Sequence, residues 1–258
     1  MTRGVGMLGK KVMITGATSG IGLKLTELLL EMGAHVAAVG RNIEQLYTLK
    51  QKSEVLEIIK VDFLDSGDFE TLMNCVENES RIDIIINCAG FAEYCEVIAQ
   101  DEQVIRDMVD VNLTQTILLT KKVTQKMNHN GMVVTIGSQS AFVATPYGAI
   151  YAATKAGINQ IMNAMRLELP HIHFLTVNTG PVNTPFIERA NAGKPINHLA
   201  ESVQLDLEDV SHQIITAIHE KKLELNIPKW MDIGLKIYGL SPRYLEKYFT
   251  KYFLTKQK

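Results

Sequence analysis

Apolar segments of strand length alternate with amphipathic segments of helix length along most of this 258-residue chain. Strands that are apolar on both faces and separated by helices predict a parallel sheet covered on both sides. The expected fold class is α/β, a doubly wound parallel sheet of about seven strands with helices on both faces. The predicted strands are Lys11–Thr15, Ala34–Gly40, Val55–Val61, Asp83–Cys88, Met132–Gly137, His173–Asn178 and Leu223–Ile227.

The composition excludes several classes of protein. A net charge of -2 and a pI near 6.4 disfavour a nucleic-acid binder. Three cysteines are too few for a disulfide framework, and the sequence has neither a C-x-x-C pair nor an H-E-x-x-H motif, so we expect no metal site. Neither a signal peptide nor an apolar run of membrane-spanning length is present, so we expect a cytoplasmic protein.

A glycine-rich segment follows the first predicted strand directly and opens the first predicted helix. Glycines at such a turn let the chain approach a pyrophosphate, and a helix N-terminus offers free N–H groups. The spacing is G-x-x-x-G-x-G without Gly-Lys-Ser/Thr, which argues against a P-loop nucleotidase. The alternative is a purely structural turn. The candidate dinucleotide-binding residues are Gly16, Thr18, Ser19, Gly20, Ile21 and Gly22.

Five sequence features, in this order along the chain, together resemble the short-chain dehydrogenase/reductase family. The resemblance spans roughly residues 8–228. It implies a Rossmann-type fold, binding of NAD(H) or NADP(H), interconversion of small-molecule alcohols and carbonyls, and a homodimer or homotetramer. The features are Thr15–Gly22, Asn87-Cys88-Ala89-Gly90, Asn112, Ser138 and Tyr151-x-x-x-Lys155.

The end of the second strand bears on the choice of cofactor. An acidic residue there holds the ribose hydroxyls of NAD, whereas an arginine accommodates the 2′-phosphate of NADP. This strand ends at Gly40 and is followed by Arg41 without an acid. NADP(H) is therefore the expected cofactor, with NAD(H) as a further possibility; Arg41 could instead be an exposed helix-cap residue. The resemblance places Asp62 at the adenine, and the alternative is a simple helix-start acid.

The resemblance also implies that two further segments contact the cofactor. In the first, Asn87 would brace the sheet and the ribose side of the cofactor through backbone contacts. Ala89 would lie against the cofactor, and Gly90 would allow the cofactor to approach the chain closely. Cys88 stands where the family usually has a second asparagine, and we expect a small buried apolar side chain there. The backbone of Val182 and the hydroxyl of Thr184 would meet the nicotinamide carboxamide. Pro181 belongs to the same segment, which departs from the family's usual Pro-Gly.

Tyr151 and Lys155 are four residues apart on a predicted helix and so share one face. A phenol ordinarily titrates near pH 10, and a nearby ammonium is expected to lower that pKa toward neutrality. Ser138 ends the fifth strand, and the resemblance gives it a hydrogen bond to the substrate oxygen. Ser140 and Tyr147 are competing candidates, but Ser140 lies two residues closer to Tyr151, and Tyr147 has no lysine four residues later.

Asn112 lies inside a predicted helix, where asparagine is a poor helix former, so we expect a functional kink. In the family this asparagine holds a water in a proton relay with the lysine. The resemblance therefore implies that Tyr151 exchanges a proton with substrate while Lys155 binds the nicotinamide ribose and, with Asn112, resupplies that proton.

The segments outside the shared motifs are predicted to set substrate choice. Residues 185–205 are polar and contain Gly and Pro, so we expect a mobile substrate loop. Ala141–Tyr147 and Tyr94 would add to a moderately apolar pocket wall. Residues 1–228 are expected to form one dinucleotide-binding domain, followed by an aromatic and basic helical extension over 229–258. That extension either packs on protein or makes a peripheral membrane contact.

Three functions remain open. The first is an NADP(H)-dependent reductase of aldehydes or ketones. The second is an NAD(P)-dependent alcohol dehydrogenase working in the oxidative direction, and the third is a non-catalytic dinucleotide sensor or scaffold. The 3-oxoacyl reductases share the motifs, but the aromatic tail makes them a less natural match.

Overall fold

The computed structural model describes residues 6–191 and 203–254, with side chains through residue 248. Seven strands form one sheet in the order β3-β2-β1-β4-β5-β6-β7, and every pairing is parallel. This confirms the predicted Rossmann-type α/β class. The strands are β1 Lys11–Thr15, β2 His35–Gly40, β3 Leu56–Lys60, β4 Ile84–Asn87, β5 Met132–Ile136, β6 His173–Thr179 and β7 Glu224–Ile227.

Helices cover both faces of the sheet. Successive strand residues point to opposite faces, so Val12 and Ile14 pack into one core while Met13 packs into the other. The described helices are α1 Gly20–Glu31, α2 Glu44–Lys50, α3 Ser66–Asn78, α4 Glu102–Val109, α5 Thr116–Thr124, α6 Ala149–Glu168, α7 Pro185–Ala190, α8 Leu207–His219, α9 Lys229–Leu240 and α10 Pro242–Leu254, with 3₁₀ turns at Val97–Ala99 and Gln139–Phe142.

The kink expected at Asn112 is present. Helices α4 and α5 are joined without a loop by a π-helical turn, Asp110–Gln115, and Asn112 is buried within it. A π turn loosens the regular hydrogen-bond ladder of a helix, and such turns are common at functional sites. The turn directs the Asn112 side chain toward the loop after β4.

The segment 185–205 differs from the expected loop where it is described. Pro185 sits in the first turn of α7, where its missing N–H costs nothing, and the helix continues to Ala190. Leu205 forms a bridge with Val182. Residues 192–202 lie outside the described residues, so the mobility expected there remains a prediction.

The tail folds as two helices, and a ladder of amides joins the first of them to the centre of the protein. Asn159 on α6 donates to Asn178 on β6, Asn178 donates to Asn226 on β7, and Asn226 donates to Asp232 on α9, each at 2.9 Å. Asn159 lies four residues after Lys155 on the same helix face. The ladder therefore ties the orientation of α9 to the helix that carries Lys155.

The carboxyl ends of β1 and β4 are held together by one hydroxyl. Thr15 is buried, and its Oγ1 accepts hydrogen bonds from the backbone N–H groups of Cys88 and Ala89, both at 3.1 Å. These two amides would otherwise be buried without a partner. Thr15 thus fixes the distance between the carboxyl ends of β1 and β4. The crevice is the gap between these two ends, where the order of the strands reverses.

We expect Thr15→Val to lower the free energy of unfolding by about 2–4 kcal/mol, because two amides lose their acceptor while the shape is kept. Thr26→Val is the matched control, since the Thr26 hydroxyl only donates to Gly22 O within α1, and its loss should cost less than about 1 kcal/mol. Urea unfolding measures both. Equal losses for the two variants would contradict this account of Thr15.

Candidate active site

The turn between β1 and α1 passes against the loop after β4. Gly16 has φ +64°, and a Cβ there would lie 2.8 Å from the backbone N of Ala89. A Cβ on Gly22 would lie 2.2 Å from the carbonyl oxygen of Gly16. Both positions therefore exclude any side chain, and the turn is as tight as the motif predicts.

The N–H groups in the first turn of α1 have no side-chain cap, although that of Gly22 makes a hydrogen bond with the Cys88 thiol. Ser19 is the N-cap residue but makes no side-chain capping bond, and the first turn carries no acidic residue. Gly20, with φ +52°, faces Thr184 across the crevice, and Ile21 is half-buried. Arg189 on α7 donates to Ser19 Oγ at 3.3 Å. An uncapped helix N-terminus beside a guanidinium suits a phosphate.

Arg41 and Asp62 lie together beyond the ends of β2 and β3. Their side chains form an ion pair at 3.4 Å between Nη1 and Oδ2, and the Arg41 side chain is 65% exposed. Thr18 packs against Gly40, where a Cβ would lie 2.5 Å from Thr18 Cγ2. Sequence reasoning assigned Arg41 and Asp62 separately and did not predict that they pair.

The loop after β4 contains Asn87, Cys88, Ala89 and Gly90. The Asn87 side chain donates to the hydroxyls of Thr120 and Thr135. Asn87 thus braces α5 and β5 with its side chain, in addition to its place in the pairing of β4 with β5. Burial raises the pKa of the Cys88 thiol to about 11, so the thiol stays protonated at neutral pH.

Tyr151, Lys155 and Ser138 meet at the carboxyl end of β5. The Lys155 Nζ donates to the carbonyl of Ile136 at 2.8 Å and lies 5.7 Å from the centre of the Tyr151 ring. Ser138 Oγ accepts from the hydroxyl of Ser140 at 2.9 Å. The two competing serines therefore form one hydrogen-bonded pair.

The pKa values of this group are governed by burial. Burial and the neighbouring Tyr94 raise the pKa of Tyr151, and a hydrogen bond with Ser138 opposes them only in part. Burial lowers the pKa of Lys155 to about 8. The direction at Tyr151 is opposite to the expected one, because burial destabilises the phenolate and the hydrogen bond with Ser138 is the one opposing influence.

Asn112, in the π turn, binds the loop after β4 through its side chain. Its Oδ1 accepts from the backbone N–H of Phe91 at 2.9 Å, and its Nδ2 donates to Phe91 O and to Thr154 Oγ1. A Cβ on Gly90 would lie 2.9 Å from Asn112 Oδ1 and 3.7 Å from Lys155 Nζ. Asn112 therefore lies beside Lys155, with its amide committed to positioning the loop.

The segment after β6 closes the crevice from the other side. Leu205 donates through its N–H to Pro181 O and accepts from Asn183, so 181–183 has a strand-like partner. Val182 is buried, and Thr184 Oγ1 donates to Val182 O at 3.3 Å. Of the three candidate residues of this segment, Thr184 lies against the glycine turn, where a Cβ on Gly20 would be 3.2 Å from its Cγ2.

Aromatic side chains surround Tyr151. The rings of Tyr94 and Phe186 lie 6.4 and 5.8 Å from it, centre to centre. Tyr147, the competing tyrosine, adopts a left-handed backbone with φ 64° in the turn before α6. Tyr94 was expected in the pocket wall from the sequence, and Phe186 belongs to the predicted substrate segment 185–205.

Sequence reasoning missed three residues that shape the site: Thr15, Thr154 and Arg189. A threonine ending an otherwise apolar strand immediately before the glycines could have drawn attention to Thr15. Thr154 is the acceptor for Asn112 and sits between Tyr151 and Lys155 on α6. The contact of Arg189 with Ser19 joins residues far apart in the chain, so no local pattern could predict it.

Across residues 6–191 and 203–254, no cluster of three or more side chains suited to a metal ion is found. In the same portion of the chain, no helix has the length and apolar character needed to cross a membrane.

We expect the Lys155 side chain to titrate with a pKa of about 8, against about 10.4 for an ordinary lysine. The measurement is the ε-carbon chemical shift of selectively ¹³C-labelled lysine as a function of pH. The Lys155→Met variant, which lacks that signal, provides the assignment. A midpoint above pH 10 for the assigned signal would refute the burial described above.

Curated proteins of several bacteria and of animals are similar to this chain. An uncharacterized oxidoreductase of Staphylococcus epidermidis is 26% identical over 213 residues, 79% of this chain and 93% of that protein. A 3-oxoacyl-[acyl-carrier-protein] reductase of Rickettsia conorii is 27% identical over 219 residues, 81% of this chain and 89% of that protein.

Solved structures share the fold. A short-chain dehydrogenase from Sphingobium yanoikuyae in complex with NADPH superimposes with a TM-score of 0.77 at 25% identity, covering 91% of this chain and 96% of that one. The family described as short chain dehydrogenase matches residues 10–195, most of the chain. The protein therefore belongs to the short-chain dehydrogenase/reductase family of oxidoreductases.

Proposed function

We propose that this protein is an NADP(H)-dependent reductase of aldehydes or ketones. The observation that carries the proposal is the meeting of Tyr151, Lys155 and Ser138 in one buried cluster at the end of β5. These three groups can give a proton to a carbonyl oxygen that becomes an alcohol.

The crevice between β1 and β4 fits a nicotinamide dinucleotide. The positions of Gly16 and Gly22 leave no room for a side chain, and the first turn of α1 has neither a cap bond nor an acid. Gly20, Thr184 and Arg189 surround that turn. A pyrophosphate bound there would accept from the free N–H groups of α1, and the NADPH complex of the Sphingobium relative supports this assignment.

Arg41 supports a preference for NADP(H). No acidic side chain occupies the end of β2, where a carboxylate would repel a 2′-phosphate. The guanidinium is 65% exposed and bonded only loosely to Asp62, at 3.4 Å. It can turn to a phosphate and present two donors to it.

A bound nicotinamide dinucleotide supplies the hydride of the reaction. In the proposed step Tyr151 donates its phenolic proton to the substrate oxygen, which Ser138 holds by a hydrogen bond. Lys155 stabilises the resulting phenolate by its charge. Lys155 would then return a proton to the phenolate and regain one from solvent, and Asn112 positions the loop that flanks Lys155.

The raised pKa of Tyr151 means that the phenol holds its proton at neutral pH, which is the form that reduction requires. A phenol that holds its proton at neutral pH is a ready donor to a developing alkoxide, whereas oxidation of an alcohol requires the phenolate as base. Oxidation by the same groups is the second candidate function. A sensor or scaffold without turnover would need no such buried acid.

The substrate end of the site is moderately apolar. Tyr94 and Phe186 flank the Tyr151 ring, and the exposed Phe142 lies in the turn after Ser138. We propose that 1–228 forms the dinucleotide-binding domain, that 229–258 is an extension of it, and that the domain assembles as a homodimer or homotetramer.

We expect Tyr151→Phe to lower kcat for carbonyl-dependent NADPH oxidation by at least about 10³-fold, because the phenolic proton that goes to the substrate oxygen is removed. The assay uses purified protein with a panel of aldehydes, ketones, diketones and 3-oxoacyl thioesters. NADPH affinity, measured by quenching of protein fluorescence, should stay within a few-fold. Near-normal turnover by the variant would refute the assignment of Tyr151 as the proton donor.

We expect Arg41→Ala to raise the Kd for NADPH by about 10–100-fold and to leave that for NADH nearly unchanged, since only the 2′-phosphate loses a charged hydrogen bond. Arg81→Ala is the matched control, because Arg81 is a half-exposed arginine that also pairs with an aspartate, Asp83. Equal weakening of both cofactors by Arg41→Ala would remove the support for NADP(H) preference.

A further inference from the structure

We propose that helices α9 and α10 bind the surface of an anionic lipid membrane through an exposed apolar face. This outer face consists of Trp230, Ile233, Ile237, Leu240, Tyr244 and Tyr248, whose side chains are 57–86% exposed. Soluble proteins seldom leave such a contiguous set of large apolar side chains in water, and a surface of this kind marks a binding site.

The outer face is a consequence of how α9 is fixed to the rest of the protein. The inner side of α9 is hydrogen-bonded to the rest of the protein. Asp232 accepts from Asn226 at the end of the amide ladder from α6, and the Tyr238 hydroxyl accepts at 3.3 Å from the N–H of Ala144. Gln139 donates to the carbonyl of Pro228, the N-cap residue of α9. Because the helix cannot rotate without breaking these bonds, its apolar residues stay outward.

The spacing of the exposed residues indicates a continuous stripe. Trp230, Ile233, Ile237 and Leu240 follow one another at intervals of three and four residues and so line one side of α9. Tyr244 and Tyr248 repeat the pattern on α10, with their rings 4.8 Å apart. Tryptophan and tyrosine combine an apolar ring with a polar atom, which suits the boundary between headgroups and acyl chains.

The distribution of charge favours anionic lipid over a second copy of the chain as the partner of the outer face. Residues 229–258 contain seven basic and two acidic residues, whereas 1–228 contain nineteen and twenty-six. Lys229 and Lys236 flank the outer face of α9, and Lys247 lies 5.9 Å from the Tyr248 ring. Anionic lipid would attract the tail and repel the rest of the chain. A second copy docking face to face would bring two basic tails together, which costs energy.

The length of the helices fixes the depth of binding. Helices α9 and α10 have 12 and 13 residues, well below the roughly 20 residues that span a bilayer. Helices with one apolar face and basic flanks lie in the plane of the interface. The membrane-bound protein would therefore rest on its tail without crossing the bilayer.

This placement bears on the substrate. Helix α9 packs beside the 3₁₀ turn Gln139–Phe142, which directly follows Ser138. Binding through the outer face would hold that side of the site near the lipid, where an apolar aldehyde or ketone dissolves. This last step rests on the proposed function, whereas binding to lipid does not.

Vesicle flotation with the full-length protein tests the proposal. Vesicles of phosphatidylglycerol mixed with phosphatidylcholine should carry the protein, and vesicles of phosphatidylcholine alone should carry far less. Leu240→Glu should lower the partition coefficient about tenfold. Leu167→Glu is the matched control, because Leu167 is 79% exposed on α6 against 86% for Leu240, and the charge change is the same.

Equal flotation of the two variants, or no flotation of the unmodified protein, would overturn the proposal. An oligomer that Leu240→Glu dissociates in size-exclusion chromatography, without vesicle binding, would also overturn it and assign the face to a second copy. Flotation uses no substrate, so a failure of NADPH oxidation with soluble carbonyls would count against the proposed function alone.

Discussion

The close approach of two backbones at the centre of the sheet sets the geometry of the whole site. Gly16 comes so near Ala89 that a single added carbon would clash, and the Thr15 hydroxyl binds the two amides that the approach brings inward. In a doubly wound sheet the strands on either side of this point carry their connections on opposite faces. The crevice opens there, and the remaining candidate residues lie at the same carboxyl edge, on loops, in the π turn and on α6.

Burial decides the chemistry that these residues can perform. Lys155 reaches the carbonyl of Ile136 in a place with little water, so its charged form is destabilised and its pKa falls to about 8. Tyr151 lies in the same place, and its phenolate is the disfavoured form. Such an arrangement keeps a proton on oxygen until a stronger base forms beside it, which is the requirement of a general acid.

The sequence predicted the fold well because the strands are rich in apolar residues and alternate with amphipathic helices. It also predicted the kink at Asn112, since asparagine fits poorly in a regular helix. The pKa of Tyr151 could not be predicted, because the relative size of burial and charge depends on the three-dimensional environment. The Arg41–Asp62 pair and the Arg189–Ser19 contact escaped prediction because they join distant segments.

The amide ladder makes α9 part of the structure that supports the site, because it links this helix through β7 and β6 to α6. Deleting α9 would remove the Asp232 carboxylate that accepts from Asn226, the last link of a ladder that runs through Asn178 to the helix of Lys155. Substitutions at the inward residues should therefore disturb the packing of the tail and the helix of Lys155 together. A purification tag is better placed at the beginning of the chain, and a shortened protein would test the loss of this scaffold together with the loss of its surface.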